Sequence, residues 1–405
     1  MAQFYLFNPT HKLRLLSKFL YCRSKRLLRN GNAPIPLSTI QTRDNVEYSR
    51  THTALTGGCQ VHDKRFARDP DFYLRDEVDG GFLVFLVENT LFKVHRCLLL
   101  REPSAFTDMF AFPNLCTEEG RVDAFPVELS DTVEQFRDLL WILYAPPSVF
   151  LADRASRPSI PFKRLLNIVE LTNKYCFESY ASWAVGVLCD VVQDVTGPLR
   201  GATPKLLARV LHVAALCDHK ILLDVLTRHL ISRLLWYDMQ PDAILEVAER
   251  HRLAKIIGVI FYKQLVNMEQ PVLWSDNQIS SRLVFPSGIG VERRMQLLAA
   301  HNSLAKLWDR LRVTPPSLCH DRCTGLEGCR EAWTQLWIDA TGASSISRHG
   351  SADVLGRLKA IMMSLRRVLS GTTSMSVPCT LAALESISQA RDDIIDGLID
   401  HFVDL

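Results

Sequence analysis

Cys319, His320, Cys323 and Cys329 fall within eleven residues of the stretch SLCHDRCTGLEGCREAW. Thiolates and an imidazole this close in sequence can converge on a zinc ion, which takes four such donors in a tetrahedron. The set departs from a zinc knuckle, because no two cysteines are separated by two residues and His320 adjoins another ligand. His349 or Cys379 is an alternative fourth donor. A structural reading competes with zinc: the cysteines pack as small apolar groups beside Trp333 and Trp337. A second constellation, FKVHRCLLLREPSAFTDMF at 92–110, sets His95 and Cys97 inside an apolar run. A cysteine nucleophile needs a neighbouring base or cation to hold its thiolate, and the sequence fixes none beside Cys97. The expectation is therefore structural: His95 locks a hairpin to the following helix through its ring hydrogen bonds, and Cys97 is a small buried residue.

Other chemistries lack their signatures. There is no phosphate-binding Gly-rich loop ending in Gly-Lys-Ser/Thr, no Gly-x-Gly-x-x-Gly after a strand, no His-Glu-x-x-His and no Gly-x-Ser-x-Gly elbow. His212, His219, His229 and His251 lie on helices patterned for packing, where surface and hydrogen-bonded roles outnumber catalytic ones. No nucleophile or general base is assigned, no resident cofactor beyond that zinc is expected, and the chain reads as a non-enzyme.

The elements that carry these residues follow from composition and period. The chain has 405 residues, 47% of them hydrophobic, enough to fill more than one core. A formal net charge of +3 creates no general field for nucleic acid. Eleven scattered cysteines point to a reducing compartment, hence an intracellular protein of cytoplasm or nucleus. The longest charge-free apolar runs fall short of the roughly 20 residues that cross a bilayer, so no membrane association through a span is expected.

Residues 1–69 form a basic head in which Lys12, Arg14, Lys18, Arg23, Lys25, Arg26, Arg29 and Arg43 all precede the first acid, Asp44. Two readings stand: a solvated tail without fixed structure, or an amphipathic targeting helix built on Leu13, Leu16, Phe19 and Leu20. From there a hairpin is expected, FLVFLV and LFKV around Glu88-Asn89-Thr90, with its first strand apolar on both faces and so covered by helices or a partner chain. A short helix at 97–100, another after Pro103-Ser104, a strand at 125–129 and a helix with Phe136, Leu139, Leu140 and Leu143 on one stripe follow. Asp131 and Glu134 have the spacing of a capping box for that last helix. Beyond Pro161 the pattern is helical. Helical hairpins over 200–270 repeat loosely with Leu171, Ala214 and Ala248 in register, 271–290 is a linker, and 291–405 carries about four more helices with an acidic, solvated end around Asp392, Asp393, Asp396, Asp400 and Asp404.

Phe92-Lys93-Val94-His95-Arg96, Leu98-Leu99, Ser104, Phe106, Met109 and Phe110 resemble the signature of BTB/POZ domains. Val127 to Asp131, Phe136, Leu139-Leu140, Leu143-Tyr144, Leu171, Asn173 to Tyr175 and Phe177 continue the likeness over residues 70–190, most closely to the expanded BTB proteins of mushroom-forming fungi. The resemblance implies an α+β domain, a small mixed sheet flanked by helices, followed by a mostly all-α C-terminal region. It implies protein partners and a homodimer, with Phe82, Val84, Leu86, Phe92, Leu98, Leu99, Phe106, Met109 and Phe110 at the interface. It also makes His95, Asp131, Tyr144 and Tyr175 the fold signature. The expected role is an interaction scaffold or adaptor, the alternative being a substrate adaptor for a cullin ubiquitin ligase. Two departures bear on this: Phe82 stands where many members carry an acid, and the loop AFPNLCTEEG lacks a hydrophobic residue two before Glu118 or Glu119.

Overall fold

Six apolar residues in succession, Phe82–Val87, leave neither face of a strand for water, so the chain must enclose both. A computed structural model describes residues 66–73, 81–111, 120, 123–151, 160–194, 197–237, 239–273, 279–318, 326–369 and 375–403. The chain divides into two units, Met1–Val191 and Val192–Leu405.

In the first unit, strand β1 (Ala67–Tyr73) is followed by β2 (Phe82–Val87) and β3 (Thr90–His95). Helices α1 (Arg96–Leu99) and α2 (Ala105–Ala111), strand β4 (Val127–Leu129), and helices α3 (Val133–Leu143), α4 (Pro147–Leu151), α5 (Phe162–Lys174) and α6 (Glu178–Gln193) complete it. The sheet order is β1-β3-β2-β4. β2 and β3 form the expected antiparallel hairpin, in register from Val87↔Thr90 to Phe82↔His95, and Glu88 takes a positive φ of 52° in its two-residue turn. β4 lies parallel to β2, with Phe85 opposite Val127.

Both faces of β2 are closed by this chain itself. Phe85 meets Phe106 and Phe136 at 5.6 and 5.5 Å between ring centroids, and Phe92 meets Phe136 edge-on at 5.0 Å. On the opposite face Val84, Leu86 and Leu91 pack against Phe66 and Tyr73. The second cover therefore comes from β1, which begins at Ala67, inside the segment expected to be tail. Asp69, Pro70 and Asp71 hid it, because proline and aspartate argue against a strand interior. β1 tolerates them by an irregularity: it pairs parallel with β3 at Arg68↔Leu91 and again only at Tyr73↔Lys93. Within the bulge the Asp69 carboxylate accepts from the Phe72 N–H at 2.9 Å and from the Arg137 guanidinium. Phe125, expected to open the third strand, is instead exposed ahead of β4.

The capping box of α3 is displaced by one residue from the expected pair. Thr132 Oγ1 accepts from the Gln135 N–H at 3.3 Å, and Gln135 Oε1 accepts from the Thr132 N–H at 3.2 Å. The stripe Phe136, Leu139, Leu140 and Leu143 is buried as its spacing requires.

The second unit contains α7 (Pro204–Leu216), α8 (Lys220–Trp236), α9 (Asp242–Arg250), α10 (Ala254–Met268), strands β5 (Glu269–Leu273) and β6 (Ile279–Leu283), then α11 (Val291–Val313), α12 (Leu326–Thr341), α13 (Val354–Leu369), α14 (Val377–Gly397) and α15 (Asp400–Val403). The stretch 271–290 is thus no plain linker; most of an antiparallel β pair lies within it. Asp392, Asp393, Asp396 and Asp400 are exposed, as a solvated acidic end requires.

The repeat has a physical basis at its turns. α5–α6, α7–α8 and α9–α10 are each joined by three residues whose middle member, Cys176, Asp218 or Arg252, has φ of 60°, 49° or 55°. None is glycine, so each accepts a left-handed conformation that its side chain disfavours. Phe177 and Leu253 then return their N–H groups to the carbonyls of Thr172 and Ala248 at 2.9 and 2.8 Å, closing Schellman-type ends. Counting back from the left-handed residue aligns Thr172, Ala214 and Ala248, all fully buried. The first copy is therefore one residue out of the register expected from Leu171.

Two substitutions test these contacts. A Cβ on Gly258 of α10 would stand 2.7 Å from the Ile399 backbone nitrogen, so Gly258→Ala is expected to destabilise the second unit by about 2 kcal/mol, read by urea unfolding. Arg137→Ala, which removes the cation from the fully enclosed Asp69 carboxylate, is expected to cost about 3 kcal/mol. Asp69→Asn should cost nearer 1 kcal/mol, since the half-exposed Arg137 can hydrate; equal losses would contradict this placement.

Candidate functional site

At 92–110 the side chains of His95, Ser104 and Thr107 have fixed structural partners. His95 ends β3, and both its backbone N–H and its Nδ1 lie 3.0 Å from the Tyr144 hydroxyl. The ring also packs against Phe82, with centroids 4.7 Å apart. His95 therefore ties the hairpin to the C-cap of α3, not to the following helix α1, where it caps no backbone group with its side chain. Burial, partly offset by the His95 N–H, raises the Tyr144 phenol above its ordinary value, so it stays a protonated hydroxyl at neutral pH. Cys97 is exposed, which corrects its expected burial.

Asp131 is buried and caps nothing. Its carboxylate takes the Tyr175 hydroxyl and the Lys174 ammonium, fastening the start of α3 to the end of α5. Burial, with Asp131 adding to it, holds the Tyr175 phenol well above its usual range. Asp138 repeats the device seven residues further along, accepting from Arg164 Nε at 2.8 Å and Asn167 Nδ2 at 2.7 Å. The four signature residues are thus brought together pairwise, His95 with Tyr144 and Asp131 with Tyr175, as fasteners between elements.

Of the nine residues expected at an interface, Val84, Leu86, Phe92, Leu99 and Phe106 are buried by their own chain. Side chains enclosed in this way form core and have no surface to offer a partner. Phe82, Leu98, Met109 and Phe110 are half-buried and retain part of theirs. The loop with Cys116, Glu118 and Glu119, to which cullin recruitment would be assigned, lies outside the described residues, as does most of the basic head.

In the second unit, Cys319, His320 and Cys323 also lie outside the described residues. Cys329 is buried on α12, its sulfur 3.5 Å from the Ser376 N–H; Trp333 and Trp337, at 5.6 Å between centroids, follow it on the same helix. The alternative donors are engaged or enclosed: His349 Nδ1 is 2.7 Å from Asp353, and Cys379 is fully buried in α14. Among the described residues no group of three metal-ligating side chains occurs. The four histidines set aside from catalysis are also placed. His219 caps α8 by accepting from the Leu222 N–H, His212 and His251 share a hydrogen bond at 2.8 Å, and His229 is half-buried, its proton affinity lowered by burial and by Arg233.

No family model, curated protein or solved structure matches this chain.

One constellation escaped sequence reading. Glu269, at the junction of α10 and β5, has a buried carboxylate. It accepts from the Ser351 N–H at 2.5 Å, the Ser351 hydroxyl at 2.6 Å and the Ala352 N–H at 3.2 Å, with His301 Nε2 at 3.1 Å. Ser351 Oγ also lies 3.1 Å from that same nitrogen. A serine, a histidine and an acid meet here, yet not as a relay: serine and carboxylate share one ring nitrogen, and the hydroxyl already donates to the carboxylate. The cluster ties α10, α11 and the start of α13. Gly350 is required beside it, since a Cβ there would sit 2.1 Å from Glu269 Oε2. No periodicity or motif joins residues 269, 301 and 351, so only the folded chain reveals them.

Tyr73 supplies a pH test. Burial first, then its hydrogen bond to Asp123, pushes the phenol up to about 12 from 10. A folded-state value above the unfolded one contributes stability that is complete below about pH 10 and lost as pH rises through about 12. Urea midpoints measured from pH 8 to 12 should be flat and then fall, and Tyr73→Phe should lessen the fall.

Proposed function

We propose that the chain is a non-enzymatic protein-interaction scaffold, in which a first unit of BTB/POZ type self-associates and the helical unit presents a second surface. The observation that carries it is on α11, where Val291, Met295 and Leu298 are 74, 60 and 50% exposed along one helix face. Three aligned apolar side chains in water are what an interaction helix lays into a partner's groove. In the first unit, support comes from the resemblance over residues 70–190, together with a small mixed sheet flanked by helices. Phe82, Leu98, Met109 and Phe110 are the residues of the expected interface that keep accessible surface there. Among the described residues no helix is long and apolar enough to cross a membrane.

Size-exclusion chromatography with light scattering tests self-association. Wild type at micromolar concentration is expected at twice the mass of one chain, and Leu98→Glu with Met109→Glu at the mass of one. A wild-type monomer would overturn self-association.

A further inference from the structure

Between α8, α10 and α13 of the helical unit lies a groove of about 460 Å³, a volume in the range of small-molecule sites. Its apolar surface comes from Trp236, Val266 and Met363, and two ammonium groups, Lys263 and Lys359, line it as well. Trp236 is 36% and Met363 56% exposed, so the apolar part is open to a ligand.

The charges in this groove are unbalanced. Its one carboxylate, Asp353, is saturated from within: Oδ1 accepts from the Tyr262 hydroxyl at 2.8 Å and the Gly356 N–H at 2.9 Å, and Oδ2 faces His349 at 2.7 Å. Tyr262 is held well above its ordinary range, chiefly by complete burial and then by Asp353, and remains a donor to that carboxylate. Asp353 is therefore committed to capping α13, and neither lysine has a carboxylate partner among the described residues. Lys359 Nζ rests 3.9 Å from the centroid of the Trp236 ring. That cation–π contact fixes the ammonium beside the apolar surface, so an arriving anion has less side-chain freedom to freeze.

We propose that this groove binds a small organic anion, its carboxylate held by Lys263 and Lys359 and its apolar body resting on Trp236, Val266 and Met363. A charge-assisted hydrogen bond to each ammonium supplies the polar half, and burial of the body supplies the rest. This inference stands independently of the scaffold reading.

Isothermal titration of the full chain with octanoate and with indole-3-acetate tests it, using octanamide and indole-3-acetamide as uncharged counterparts. Single-site binding of a carboxylate is expected, with the matching amide weaker by at least about tenfold. Lys263→Ala and Lys359→Ala should each weaken the carboxylate by about tenfold, while Lys306→Ala, on the exposed side of α11, should leave it unchanged. Circular dichroism melts establish that the variants fold. Should a variant not fold, acetylation footprinting of wild type replaces it: octanoate should protect Lys263 and Lys359 from acetic anhydride, and Lys306 should stay reactive. Absence of saturable binding by both carboxylates, equal binding of the amides, full affinity in both Lys263→Ala and Lys359→Ala, or no protection of the two lysines would each overturn the proposal.

Discussion

A strand apolar on both faces is the constraint from which the first unit is built. β2 cannot stand at a water-facing surface, so α2 and α3 supply Phe106 and Phe136 to one side, and Phe66 and Tyr73 close the other. Once β2 is enclosed, the polar groups around it lose their water and need internal partners. His95 finds Tyr144, Asp131 finds Tyr175 and Lys174, and Asp69 finds Arg137. What looks in sequence like a reagent set is the consequence of burial.

Where local pattern and packing agree, the fold was legible. The hairpin around Glu88-Asn89 and the buried stripe of α3 follow from alternation and helical spacing. Errors arose where a long-range partner overrides local preference. Asp69-Pro70 argues against a strand until Arg137 and the β3 edge are present, and Asp131 mimics a cap until Tyr175 claims it. Apolar signature residues misled in another way. Val84, Leu86, Phe92, Leu99 and Phe106 can be recognised as apolar from sequence, but whether the covering surface belongs to the same chain cannot.

The helical unit is organised by different means. Its hairpins carry left-handed Asp218 and Arg252, with small buried residues four positions earlier, so helix ends are set by backbone geometry as much as by side-chain pattern. Glu269 then joins residues far apart in the chain through backbone N–H groups, which any sequence possesses. A partner defined by its main chain leaves no mark in the side-chain alphabet, and the side-chain partners Ser351 and His301 share no motif with Glu269, so the cluster was invisible.

The parallel pairing of β4 with β2 matches Phe85 to Val127, across roughly forty residues. A contact of that span closes a long loop before it gains any ladder hydrogen bond, whereas α7 to α10 join through turns of a few residues. The two units should consequently differ in folding speed, the helical hairpins forming quickly and the sheet waiting for β4. During that interval the FLVFLV edge is exposed, and its association with other chains is the kinetic hazard built into this topology.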